Sequence, residues 1–143
     1  MKIRILFLCF FIVSSTLQAK VKVLCPEEGE CLDWDGSPCT LPNHSLYLTD
    51  EGLIYYHSST LLAGFQFYIE GASLISASGG EAEEAGFTMP TGNNIVLGFS
   101  MEGNTITGCG TMVILELEGK VGDLSNLVIS NPKGEAIPFL IYF

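Results

Sequence analysis

The segment Ala63-Gly-Phe-Gln-Phe-Tyr-Ile-Glu-Gly71 constrains the fold more than any other part of the chain. Side chains alternate from face to face along an extended strand, so Phe65, Phe67 and Ile69 point one way and Gln66, Tyr68 and Glu70 the other. A strand of this kind is half buried, apolar towards a core and polar away from it. The same rhythm recurs downstream. Ser45–Thr49 and Leu53–Tyr56 flank the Asp50-Glu51-Gly52 turn, and Ser73–Ser76, Asn94–Met101, Thr111–Glu118, Leu124–Ser130 and Ala136–Phe143 follow, separated by Gly- and Asn-rich turns. Only Glu81-Ala-Glu-Glu-Ala85 is rich in good helix formers, enough for one short turn. Short strands at regular spacing with almost no helix predict an all-β fold, an antiparallel two-sheet β-sandwich of about seven to nine strands over residues 43–143. Met112–Leu117, nearly continuous in apolar character, is expected at its centre. Pro138 cannot donate to a ladder and places the last strand at an edge or a bulge.

The N-terminus reads as a targeting segment. Lys2 and Arg4 precede the apolar Ile5–Val13, and Leu17-Gln18-Ala19 ends a small-residue stretch, so residues 1–19 are expected to be a signal peptide. The apolar run is shorter than the ~20 residues of a membrane-spanning helix, and no other long apolar stretch follows. The chain is therefore expected to be secreted, to the extracellular space, the periplasm or the cell surface, with no membrane span in its mature form. Cleavage would leave 124 of the 143 residues, enough for one domain with its own core. It would also remove two basic residues and no acidic one, taking the formal charge from −10 to −12. So acidic a surface repels phosphate backbones and argues against nucleic acid as a partner.

Four cysteines remain after the signal segment: Cys25, Cys31 and Cys39 in a short leader, residues 20–42, and Cys109 in Thr107-Gly-Cys-Gly-Thr111. An even number in an exported chain favours two disulfides, for which three pairings are open. If all four pair, one bridge ties the leader to the body, and Cys39 with Cys109 is the expected one. Zinc is the poorer reading, because no CxxC pair occurs.

The order of Leu62-Ala-Gly-Phe-Gln-Phe67, Ala77-Ser-Gly-Gly80, Ala85-Gly-Phe87, Val96-Leu-Gly-Phe-Ser100, Ile106-Thr-Gly-Cys-Gly-Thr-Met-Val113 and Leu127-Val-Ile-Ser-Asn-Pro-Lys-Gly134 resembles the cohesin-like and carbohydrate-binding β-sandwich superfamily of secreted bacterial proteins. The resemblance covers roughly Leu46 to Ile141 and implies a jelly-roll or cohesin-like sandwich that binds rather than catalyses. The partner it implies is an extracellular protein, held on one sheet face, with a polysaccharide as the alternative. The chain departs from the family in its short length, and it holds no paired Asp-rich calcium loops.

Candidate contact residues follow from chemistry. Tyr68 and Gln66 lie on the polar side of their strand, and Trp34 is the only tryptophan, in the leader. Tyr and Trp rings stack on sugars and anchor protein interfaces alike. Trp34 has a competing reading as a cap on the end of the sandwich beside a disulfide. No catalytic residue is assigned. His44 and His57 have no partner motif, His57 reads as solvent-exposed, and no GxSxG elbow occurs. This leaves a small secreted hydrolase as the disfavoured third reading. No cofactor or metal is expected. Asp33 and Asp35 before Gly36, or Glu81, Glu83 and Glu84, would make at most a weak surface calcium site, and Asp33–Ser37 reads better as a turn. Asn43-His44-Ser45 is a glycosylation sequon, meaningful only in a eukaryotic secretory pathway.

Overall fold

The computed structural model describes residues 22–26, 30–120 and 122–142. The expected signal peptide, residues 1–19, lies outside them. Among the described residues there are eleven strands, a 3-10 turn at Pro38–Thr40 and a single helical turn, α1, at Gly80–Glu84. The chain is all-β. The leader holds β1 (Lys22–Leu24) and β2 (Leu32–Trp34), paired with each other. Nine strands follow: β3 (Ser45–Leu48), β4 (Leu53–Leu62), β5 (Gly64–Glu70), β6 (Ser73–Ser78), β7 (Thr91–Gly92), β8 (Ile95–Phe99), β9 (Ile106–Glu118), β10 (Asp123–Ser130) and β11 (Leu140–Tyr142). They make a four-stranded sheet in the order β10-β5-β8-β7 and a five-stranded sheet in the order β11-β3-β4-β9-β6. Pairing is antiparallel except at one edge, where β11 runs parallel to β3. The expected wholly antiparallel pairing is corrected there, because the segment after β10 crosses to the other sheet instead of turning back on its neighbour.

Both larger sheets contribute to one apolar core. Phe65, Phe67 and Ile69 of β5 and Val96 of β8 meet Leu46, Ile54, Tyr56, Val113 and Leu115 of β3, β4 and β9 in a single cluster. Phe65 stacks near Phe67 and Phe87, with ring centroids 5.9 and 6.2 Å away. Its ring also occupies the space a side chain at Gly98 would need: a Cβ built there would lie 2.2 Å from the ring. That is why glycine sits inside β8, opposite Phe65.

The largest differences between the strand boundaries and the sequence pattern fall in three places. The polar run His57-Ser-Ser-Thr60 reads as a strand end, yet β4 continues through it, because each polar side chain finds a partner. His57 Nδ1 lies 2.5 Å from the Leu41 carbonyl oxygen, Ser58 Oγ donates to the Thr60 carbonyl at 2.8 Å, and Thr60 Oγ1 meets His44 Nε2 at 3.0 Å. His57 is accordingly half buried and not solvent-exposed. Likewise β9 begins at Ile106, its Gly108-Cys109-Gly110 paired with Ser58, His57 and Tyr56. On that strand Val113 pairs with Ile54 and Thr111 with Tyr55, so Met112 is the extra residue of a β-bulge. The bulge lets the consecutive Met112 and Val113 both bury fully. The third difference is at Ala136–Phe139, where only Ala136 bridges, to Ser130; Pro138 interrupts the run and β11 forms the sheet edge. At the β3–β4 turn Gly52 takes φ +91°, and a Cβ there would come 2.4 Å from the Leu115 carbonyl oxygen.

Candidate functional site

The two larger sheets present very different outward faces. On the five-stranded sheet, Tyr47, Tyr55 and Tyr142 point away from the main core, and the leader lies over them. Leu24, Trp34 and Leu41 join Tyr47 and Tyr142 in a second buried cluster, with Leu32 and Tyr55 at its margin. The Trp34 and Tyr47 ring centroids are 4.7 Å apart. Trp34 Nε1 donates to the Ser37 carbonyl at 2.7 Å, which satisfies its one polar atom. Two disulfides hold this cover, Cys25–Cys31 within the leader and Cys39–Cys109 between the leader and β9. The bridge expected between leader and body is the one formed.

Trp34 is thus 3 % exposed, packed as a cap beside a disulfide-tied strap, and offers no open ring face. As a contact residue it is corrected. Tyr68 and Gln66 are elsewhere, on the outward face of β5 in the four-stranded sheet. Strand register sets their neighbours: Tyr68 lies opposite Ile95 of β8 and Ser125 of β10, and Gln66 opposite Leu97 and Val128. Gln66 is exposed and Tyr68 half buried. Ile95, Leu97 and Val128 are 39, 37 and 49 % exposed, a group of large apolar side chains with no described segment over them. Sequence reasoning missed these three. The signal was present, since in Ile95-Val96-Leu97 the buried Val96 puts its two neighbours on the opposite face.

The remaining candidates do not converge. Asp35 accepts from Ser37 N at 2.9 Å and from the Thr40 hydroxyl. Those bonds, the hydroxyl first, hold its carboxyl below the usual carboxylate range. It is a turn anchor of the 3-10 segment. Among the described residues no three His, Cys, Asp or Glu side chains gather into a metal-binding group. Glu81 of α1 packs near the Tyr56 hydroxyl instead. Burial, and then that carboxylate, raise the tyrosine above its ordinary value. The Tyr56 hydroxyl donates to the Thr107 carbonyl at 3.0 Å. Asn43 is engaged with Ser59: its Nδ2 donates to Ser59 Oγ at 2.8 Å and its Oδ1 accepts from Ser59 N at 2.7 Å. A cleft of about 580 Å³ lies between the β3–β4 turn and the β9–β10 loop, lined by Tyr47, Thr49, Asp50, Glu51, Lys120 and Asp123 among others. No helix among the described residues is long and apolar enough to cross a membrane.

No family model matches this chain, and neither the curated proteins nor the solved structures contain a match to it.

Proposed function

We propose that this chain is a secreted, non-enzymatic binding module with a cohesin-like two-sheet β-sandwich, and that it docks a protein partner on the outward face of its four-stranded sheet. The observation that carries this reading is the contrast in cover. The leader and two disulfides shield the aromatic patch on the outward face of the five-stranded sheet. The other outward face keeps Tyr68, Ile95, Leu97 and Val128 in reach of solvent. Contiguous exposed apolar side chains on a small domain mark interaction sites, and a Tyr among aliphatic neighbours suits a protein interface. A sandwich is the economical reading of two sheets that share one core. Disulfides within a small domain fit an exported protein.

The second reading, a polysaccharide-binding module, draws on Tyr68 as a stacking platform. Aliphatic neighbours favour protein over sugar, because pyranose rings stack on aromatic strips. Capture from the secreted fraction of the native source, run beside a glycan array, separates the two. The docking reading expects a protein retained by the parent chain and lost with Leu97→Asp, and no glycan signal. Selective polysaccharide binding abolished by Tyr68→Ala, with no protein retained, would overturn it.

A further inference from the structure

The open sheet face changes character along its strands. Its middle carries Gln66, Tyr68, Ile95, Leu97 and Val128, while at one end Glu70 of β5 stands directly opposite Asp123 of β10. Like charges directly opposite on neighbouring strands are destabilising. This pair is not neutralised within the sheet, for β5, β7, β8 and β10 contain no Lys, Arg or His. Lys120, on the loop before β10, forms no ion pair with either carboxylate. The Asp123 carboxylate accepts from Leu124 N at 2.6 Å, and the exposed Glu70 side chain makes no hydrogen bond.

Building on the docking reading above, we propose that the partner is a protein segment with an apolar strip that ends in lysine or arginine. The cation sits over Glu70 and Asp123, and the strip covers Tyr68, Ile95, Leu97 and Val128. Charge complementarity selects this occupant. A second copy of the chain, with a net charge of −10 and six basic residues in all, would bury the same carboxylate pair without a counter-charge. An anionic lipid surface or a nucleic acid would be repelled outright. A basic protein segment satisfies both parts of the face, and the negative field of the whole domain steers it in.

Two synthetic twelve-residue peptides test this on the full mature chain with both disulfides formed. They share the same Leu and Tyr residues, one carrying Lys at its end positions and the other Glu, and binding is read by fluorescence anisotropy. The lysine peptide should bind, more tightly at low salt, and the glutamate peptide should not. The double variant E70Q/D123N should weaken the lysine peptide about tenfold, as expected for two exposed charge pairs. The double variant E116Q/E118Q, which removes two charges from β9 of the other sheet, should change it less than about twofold. Failure of the lysine peptide to bind, equal binding of the two peptides, or equal loss in both double variants would overturn the cationic partner. If Leu97→Asp abolishes capture of the native partner while E70Q/D123N leaves it intact, the docking face stands and this inference falls. If neither variant changes capture, both fall.

Discussion

The outward faces of the two larger sheets both carry apolar side chains, but only the aromatic patch of the five-stranded sheet is covered, while Ile114 and Leu140 at its flanks stay exposed. Tyr47 and Tyr142 on one are buried beneath Trp34, Leu24 and Leu41, with Tyr55 half-buried at the margin. Ile95, Leu97 and Val128 on the other remain in contact with solvent. A strap of about twenty residues, two disulfides and a His57–Leu41 contact are devoted to the first face. None of the described residues covers the second. Large apolar side chains are exposed elsewhere too, Ile75, Ile114 and Leu140 among them; what sets the four-stranded sheet apart is that Ile95, Leu97 and Val128 share one outward face with Tyr68, the grouping on which the proposed docking face rests.

The largest expected effect tests the cover itself. Removing the Cys39–Cys109 bridge, which closes a separation of 70 residues, should cost roughly 4 kcal/mol by chain entropy; the Cys25–Cys31 bridge, with a separation of 6, should cost roughly 2. Urea denaturation of the two Cys→Ser pairs measures both. Equal losses would mean that the strap is not what the long bridge stabilises.

Next comes a crossed pair. Trp34→Ala empties a buried aromatic site and should cost roughly 3 kcal/mol while leaving partner affinity unchanged in the folded fraction. Leu97→Ala on the open face should change stability by less than about 1 kcal/mol and weaken binding. A Trp34→Ala variant that folds and loses its partner would move the interface to the covered side.

A smaller effect probes the shared core. Tyr56 holds its proton more tightly when folded, so its contribution is complete below its unfolded value, about 10, and is lost as pH rises through the folded one. Stability should decline on the alkaline side, and Tyr56→Phe should flatten that decline at a cost of about 1 kcal/mol near neutrality, from the lost bond to the Thr107 carbonyl. An unchanged alkaline limb in Tyr56→Phe would place its origin elsewhere.

The smallest effect lies in the strap. Because the Asp35 carboxyl is held low, its bonds to Thr40 and Ser37 persist above the usual carboxylate range and are lost as pH falls through the depressed value. An NMR titration should show the Ser37 amide moving with a midpoint below the ordinary carboxylate one. Movement at the ordinary carboxylate midpoint would refute the anchoring.

Much of this was legible in the residues. Alternation in Gly64–Glu70 set a half-buried strand and its two faces, and with them the outward position of Gln66 and Tyr68, because pleat geometry allows no other arrangement. Turn chemistry placed Gly52, and the even count of cysteines pointed to two bridges, both of which are formed. Such features depend on neighbours in sequence. Other features depend on neighbours in space, and only the tertiary structure decided them. The leader's β1 and β2 have too short a run to carry a period, and His57–Thr60 becomes strand only because partners from Leu41 and His44 satisfy it. The parallel pairing of β11 with β3 depends on a crossing between sheets that no local pattern encodes. The fate of Trp34 was settled in the same way: a large amphipathic ring suits a buried cap as well as an open contact, and the strap that folds over Tyr47 made it a cap.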